Sequence, residues 1–418
     1  MMGRCQSNLL QYFWLNFIIA LFGHVQGQLN YYGYQNDDGD GYGEFSPEQL
    51  FAPEDVPSNC DDTITDMDVS MISRWPSKTV YQHFGPISAV AMHNLQKSNK
   101  VYVLHRGRSV WNSSTFDDNN VYQYQGQGPI KDEVLALISD GKLQEAYLKD
   151  TFYLPHGLTV DPEGNIWITD TAMHQIFKFS LDAPEKPLLV LGEKFVPGND
   201  SKHFCKPTHV VVSRNGAFFV SDGYCNNRII KFDKTGVVKK QWGKPTKNFE
   251  SPDRFELNLP HHMALSEKLN MLCVADRENH RVVCYDVGVW SGNEDTTGTW
   301  LFEIKDQLAR DGPVYAVAIA ERDDILFVLV GSPDEKGPSD IQMFDLRTQN
   351  YLGTICTREP SFRKAHVIAT SQEASGHGSL VACSLFIPED TLKDKAEQIR
   401  RLWRFDYEKW QPEEDMLF

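Results

Sequence analysis

Three histidines, His156, His261 and His366, follow one another at equal steps of 105 residues. In a chain built from repeats, equal steps put side chains at one height and one radius, so the three imidazoles can converge and leave a fourth position open. That is the donor set of a catalytic zinc site, three protein nitrogens plus a water or substrate oxygen. Three further residues have types suited to work beside such a metal: Arg106 in LHRG, Tyr224 in SDGY and Arg277 in ADRE. Two guanidiniums can clamp a carboxylate through paired N–H donors. A phenol flanked by cations and a metal is stabilised as its phenolate and can take a proton. His174 and His280 fall at another point of the repeat, where an imidazole that packs or hydrogen-bonds between elements is expected.

The elements that would carry these residues repeat along the chain. PHGLTVDPEGNIWITDTAMHQIFKFSLD from Pro155, PTHVVVSRNGAFFVSDGYCNNRIIKFDKTG from Pro207 and PHHMALSEKLNMLCVADRENHRVVCYDVG from Pro260 share one plan. Each reads as an apolar alternating strand, a turn, a second strand ending in Asp, a polar loop and a third apolar strand. Weaker copies begin near Ile87, Val314 and Ala365. Six such units predict an all-β protein, a six-bladed β-propeller running from residue 74 to 418 as one closed domain. The pattern resembles the NHL repeat, with its signature at Asn226-Asn227-Arg228 and at Glu278-Asn279-His280-Arg281. On this plan His156, His261 and His366 open the innermost strands of units two, four and six, which lie 120° apart. Arg106, Tyr224 and Arg277 follow second strands and so face the same end of the channel.

Upstream of the repeats, residues 1–27 have a single basic residue, Arg4, an apolar stretch from Leu9 to Phe22 and a small polar end, the pattern of a signal peptide. No run is long enough to predict a spanning helix. Residues 28–73 contain eleven acids and no Lys or Arg and read as a flexible acidic arm. The net charge of −16 argues against a nucleic-acid partner. Sequons at Asn112 and Asn199 fit glycosylation on a secretory route. Seven cysteines follow the signal, Cys60, Cys205, Cys225, Cys273, Cys284, Cys356 and Cys383, without zinc-knuckle spacing, so disulfides are expected and at least one thiol is left over. Cys205 and Cys225 flank the Tyr224 loop, and Cys273 and Cys284 flank Arg277.

The segments HRG with Trp111, FYLPHGL (152–158), HFCKPT (203–208), VSDGYCNNRI (220–229) and CVADREN (273–279) resemble those of the peptidyl-α-hydroxyglycine α-amidating lyases over roughly residues 75–410. The resemblance implies a zinc enzyme of the secretory lumen that cleaves a peptide ending in α-hydroxyglycine into a peptide amide and glyoxylate. It places zinc on His156, His261 and His366, the catalytic tyrosine on Tyr224, the active-site arginines on Arg106 and Arg277, and disulfides on Cys205 with Cys225 and Cys273 with Cys284. It also implies a free-standing lyase whose substrate comes from a separate copper peptidylglycine monooxygenase. Finally, it implies a structural calcium on the carbonyls of Val90 and Leu158 and on an aspartate after the third histidine. Here the sequence departs: Lys364-Ala365-His366-Val367 stands where the family reads Met-Pro-His-Asp, so the main charged ligand of a hard cation is missing. The alternative from a different class is a non-catalytic NHL-type propeller that binds peptides or proteins on its face.

Overall fold

The computed structural model describes residues 67–92, 100–288, 296–309, 311–333, 337–355, 362, 364–372, 377–385 and 401–409. The signal, most of the acidic arm, Cys60 and Cys356 lie outside the described residues. What is described is six four-stranded antiparallel sheets, five of them made of strands consecutive in the chain and the sixth completed by a strand from the start of the chain.

Strand β1 (Met67–Met71) belongs to the last blade. Blade 1 is β2 (Ile87–Met92), β3 (Val101–His105), β4 (Leu135–Ser139) and β5 (Lys142–Tyr147). Blade 2 is β6 (Pro155–Val160), β7 (Ile166–Asp170), β8 (Gln175–Phe179) and β9 (Leu189–Leu191). Blade 3 is β10 (His209–Val212), β11 (Phe218–Asp222), β12 (Arg228–Phe232) and β13 (Val238–Trp242), followed by a short parallel pair, β14 (Lys244–Pro245) with β15 (Glu256–Leu257). Blade 4 is β16 (Pro260–Ser266), β17 (Met271–Asp276), β18 (Arg281–Asp286) and β19 (Trp300–Ile304). Blade 5 is β20 (Val314–Ala320), β21 (Ile325–Val330), β22 (Asp340–Asp345) and β23 (Tyr351–Ile355). Blade 6 is β24 (Ala365–Gln372), β25 (His377–Ser384) and β26 (Leu402–Lys409), with β1 as its outer strand.

β1 corrects one boundary. The arm was expected to reach residue 73, yet Met67–Met71 pairs antiparallel with Lys409–Phe405 and closes blade 6. Its alternation of Met67, Val69 and Met71 with Asp68 and Ser70 is a half-buried strand pattern set in acidic surroundings, with Met67 buried and Asp68 exposed. The N-terminal segment thus covers the outer edge of β26 and brings blade 6 to four strands.

Apolar faces of neighbouring blades pack on each other, and aromatic rings fill the wedges that open away from the axis. Trp167 of blade 2 meets Phe218 of blade 3 at 4.6 Å, Trp242 of blade 3 meets Tyr285 of blade 4 at 5.6 Å, and Phe327 of blade 5 meets Tyr407 of blade 6 at 5.1 Å.

The aspartates that end the second strands have one shared task. Asp170 accepts the Tyr153 and Leu154 N–H groups, Asp222 that of Cys205, and Asp276 that of Asn258. Each therefore straps down the segment entering its own blade's inner strand. The signature arginines hold two of these aspartates: Arg228 on Asp222 at 2.9 Å and Arg281 on Asp276 at 2.8 Å, all buried. At the middle of the signature His174, Asn227 and His280 have φ of 55°, 52° and 52°, a left-handed conformation that favours Asn and His among residues with a side chain.

Candidate metal centre and its flanking residues

The inner strands start with Pro-His in blades 2 and 4 and Ala-His in blade 6, and in blades 4 and 6 the second residue is a bulge. His261 falls between the pairs Pro260↔Asp276 and His262↔Ala275, and His366 between Ala365↔Ser384 and Val367↔Cys383, so neither has a partner across the ladder. His156 lies in the corresponding irregularity between Pro155 and Leu158. A bulge re-aims the side chain of its extra residue, here into the channel. One nitrogen from each of the three rings lies within 4.8 Å of the other two, and each ring is buried.

Six inner strands give six residues at this level, and they alternate. Blades 2, 4 and 6 supply the histidines, and blades 3, 5 and 1 supply Thr208, Tyr315 and Ser88. Each histidine Nδ1 pairs with the carbonyl of the next blade: His156 with Thr208 at 2.9 Å, His261 with Tyr315 at 2.6 Å, and His366 with Ser88 at 2.7 Å. Those carbonyls can only accept, so Nδ1 carries the proton and each Nε2 keeps its lone pair for the centre. Nε2 of His261 is buried and without a hydrogen-bond partner. Burial, then the neighbouring imidazoles and guanidiniums, hold all three rings well below the usual histidine range, hence neutral and able to act as ligands. An orphaned imidazole nitrogen and two companions with fixed tautomers fit a metal that takes three nitrogens and keeps one position for oxygen.

The other predicted site residues meet the same centre. The Tyr224 hydroxyl is 3.0 Å from His156 Nε2, and its ring packs on Trp111 at 4.8 Å. Arg106 is buried, and its Nε donates to the carbonyl of Pro155, the residue before His156. Arg277 lies 4.9 Å over the Tyr315 ring and pairs with Glu278 at 2.6 Å. Both guanidiniums act electrostatically on His156 and His366, so the centre is flanked by cations from blades 1 and 4.

Gly223 lets the Tyr224 loop come this close: a Cβ there would meet the Pro260 carbonyl at 2.2 Å. Cys205–Cys225 closes the Tyr224 loop, and Cys273–Cys284 joins directly paired residues of β17 and β18 beneath Arg277. Cys383 is a buried free thiol. Asn112 and Asn199 are both exposed.

Sequence reasoning missed the odd-blade residues Ser88, Thr208 and Tyr315. The same repeat phase that located the histidines would have found them, but a backbone acceptor has no residue-type signal. Trp111 was noticed only as part of a motif. The calcium set does not fit: Val90 and Leu158 lie on the inner strands as expected, but the position after the third histidine is Val367, packed with them in one apolar cluster.

A propeller of NHL-type blades with a three-histidine centre in its channel defines the class, and residues 152–179 and 257–285 match the NHL repeat. The chain is 34% identical over 338 residues to peptidyl-alpha-hydroxyglycine alpha-amidating lyase 2 of Drosophila melanogaster, covering 80% of this chain and 75% of that protein. It is 37% identical over 328 residues to peptidyl-glycine alpha-amidating monooxygenase A of Xenopus laevis, covering 76% of this chain, and 44% identical over 223 residues to the Mus musculus peptidyl-glycine alpha-amidating monooxygenase, covering 53%. It spans 33% and 22% of the length of those two proteins. The chain belongs to the peptidyl-α-hydroxyglycine α-amidating lyase family.

Proposed function

We propose that this chain is a zinc-dependent lyase that converts a peptidyl-α-hydroxyglycine into a C-terminally amidated peptide and glyoxylate. The observation that carries the reading is the Tyr224 hydroxyl lying 3.0 Å from His156 Nε2, inside a ring of three neutral imidazoles flanked by Arg106 and Arg277. His156, His261 and His366 hold the zinc, which when bound supplies a Lewis acid that makes the substrate's α-hydroxyl more acidic. One arginine holds the glycine-derived carboxylate through paired N–H donors, and the other stabilises the Tyr224 phenolate.

Tyr224 takes the hydroxyl proton. The freed electron pair becomes the carbonyl of glyoxylate, the Cα–N bond breaks, and its pair goes to the amide nitrogen. Tyr224 then returns the proton to that nitrogen and is a phenolate again. The atoms balance without water, which suits a buried centre. Trp111 and the Cys205–Cys225 bridge hold the phenol in place between the two transfers.

The chain acts in the secretory lumen, led there by residues 1–27, with Asn112 and Asn199 glycosylated and with a separate copper monooxygenase supplying its substrate. The chain should release glyoxylate from a peptidyl-α-hydroxyglycine faster than the spontaneous rate when zinc is present. Tyr224→Phe should cut that rate by roughly 10²–10⁴, the usual contribution of a positioned acid–base group, while metal content stays near one per chain. A zinc-loaded, folded wild type that releases no more glyoxylate than buffer would leave the non-catalytic propeller as the better reading.

A further inference from the structure

The calcium implied by the resemblance would lie one step further along the inner strands than the three histidines. That level is built differently here. Val367 is 2% exposed and shares an apolar cluster with Val90 and Leu158. His209, the first residue of β10, spans three blades: its Nδ1 accepts the Met263 N–H of β16 at 3.3 Å, and its Nε2 lies 3.2 Å from Thr159 Oγ1 of β6. Because Nδ1 accepts from an N–H, Nε2 must carry the proton.

His262 stacks on His209 with ring centroids 3.8 Å apart, and its Nδ1 pairs with the Val317 carbonyl of β20 at 3.0 Å. A chain of contacts therefore runs across blades 2, 3, 4 and 5.

A hard cation at this level would gather carbonyl oxygens from separate strands and need a carboxylate to balance its charge. The two imidazoles tie neighbouring strands together without any ion, one through the Thr159 hydroxyl and the other through the Val317 carbonyl. A dipositive ion placed against Val367 would have no anionic ligand to offset its dehydration. We infer that this chain carries no calcium below its three-histidine centre, and that the stacked pair His209–His262 ties the inner strands together in its place.

The test needs no turnover, so its failure and the failure of the lyase reading are distinguishable. Full-length purified chain, dialysed against calcium and then against calcium-free buffer, should retain about one transition metal and no stoichiometric calcium. Its Tm should be the same in millimolar calcium chloride and in EGTA, whereas a structural ion would raise Tm with concentration. His209→Ala should lower the Tm by about 2–4 °C or more. The double variant His209→Ala, Val367→Asp should recover stability in calcium alone. Calcium at one per chain in wild type, a calcium-dependent rise of its Tm, or a double variant indifferent to calcium would each overturn the inference. The wild-type metal count stands even where the variants fail to fold.

Discussion

A histidine can ligate a metal only if the right nitrogen is bare. In this chain the choice is made by three backbone carbonyls, those of Thr208, Tyr315 and Ser88. The cost is a set of imidazoles that must stay neutral. Burial is the main cause that pushes His105, His174 and His262 down to about 4 and holds His156, His261 and His366 well below the ordinary value. In the unfolded chain the same groups titrate near 6.5, so below that pH the unfolded state binds more protons than the folded one. Their neutrality leaves stability intact above pH 6.5 and erodes it as pH falls from 6.5 toward 4. The urea midpoint of the metal-free chain should decline steadily from pH 6.5 to 5. A midpoint unchanged over that interval would contradict buried neutral rings. Added zinc should hold the midpoint up, since it binds only the deprotonated ligands.

At the scale of the element, each site residue is delivered by a small irregularity on a regular strand. The bulges at His261 and His366 free those side chains from the ladder, and the loop after β11 brings Tyr224 over the inner strand of blade 4. Gly223 is the hinge of that approach, since any Cβ must displace the Pro260 carbonyl or itself. Gly223→Ala should therefore lower kcat at least tenfold by moving the phenol. Zinc content should stay unchanged, because His156, His261 and His366 are set by other strands. A variant with normal kcat would show that the loop has slack. The buried Arg281–Asp276 pair under Arg277 fixes the next loop in the same way. Removing one partner of such a pair typically costs about 3–5 kcal/mol.

For the whole molecule the ring must close before three histidines from blades 2, 4 and 6 can meet. Closure is made by β1, a strand supplied from residues that sequence composition assigned to an arm. A chain starting at residue 74 lacks that strand and the buried Met67. It should lose on the order of 3–5 kcal/mol relative to one starting at residue 60, from the lost pairing with β26 and the lost apolar burial. Equal urea midpoints for the two chains would mean that β1 is dispensable. No helix among the described residues is long and apolar enough to cross a membrane.

The repeat of apolar strands, the aspartates that end second strands and the equal steps between His156, His261 and His366 are properties of residue type and spacing. The sequence alone therefore determined the propeller, its six blades and the three histidines that meet in its channel. Two kinds of fact were beyond it. Tautomers, and the acceptor roles of Ser88, Thr208 and Tyr315, belong to backbone carbonyls that every residue owns, so only their positions in space single them out. The membership of β1 in blade 6, and the His209–His262 stack between blades 3 and 4, depend on contacts between residues far apart in the chain. Such contacts exist only once the ring has closed, and no local pattern encodes them.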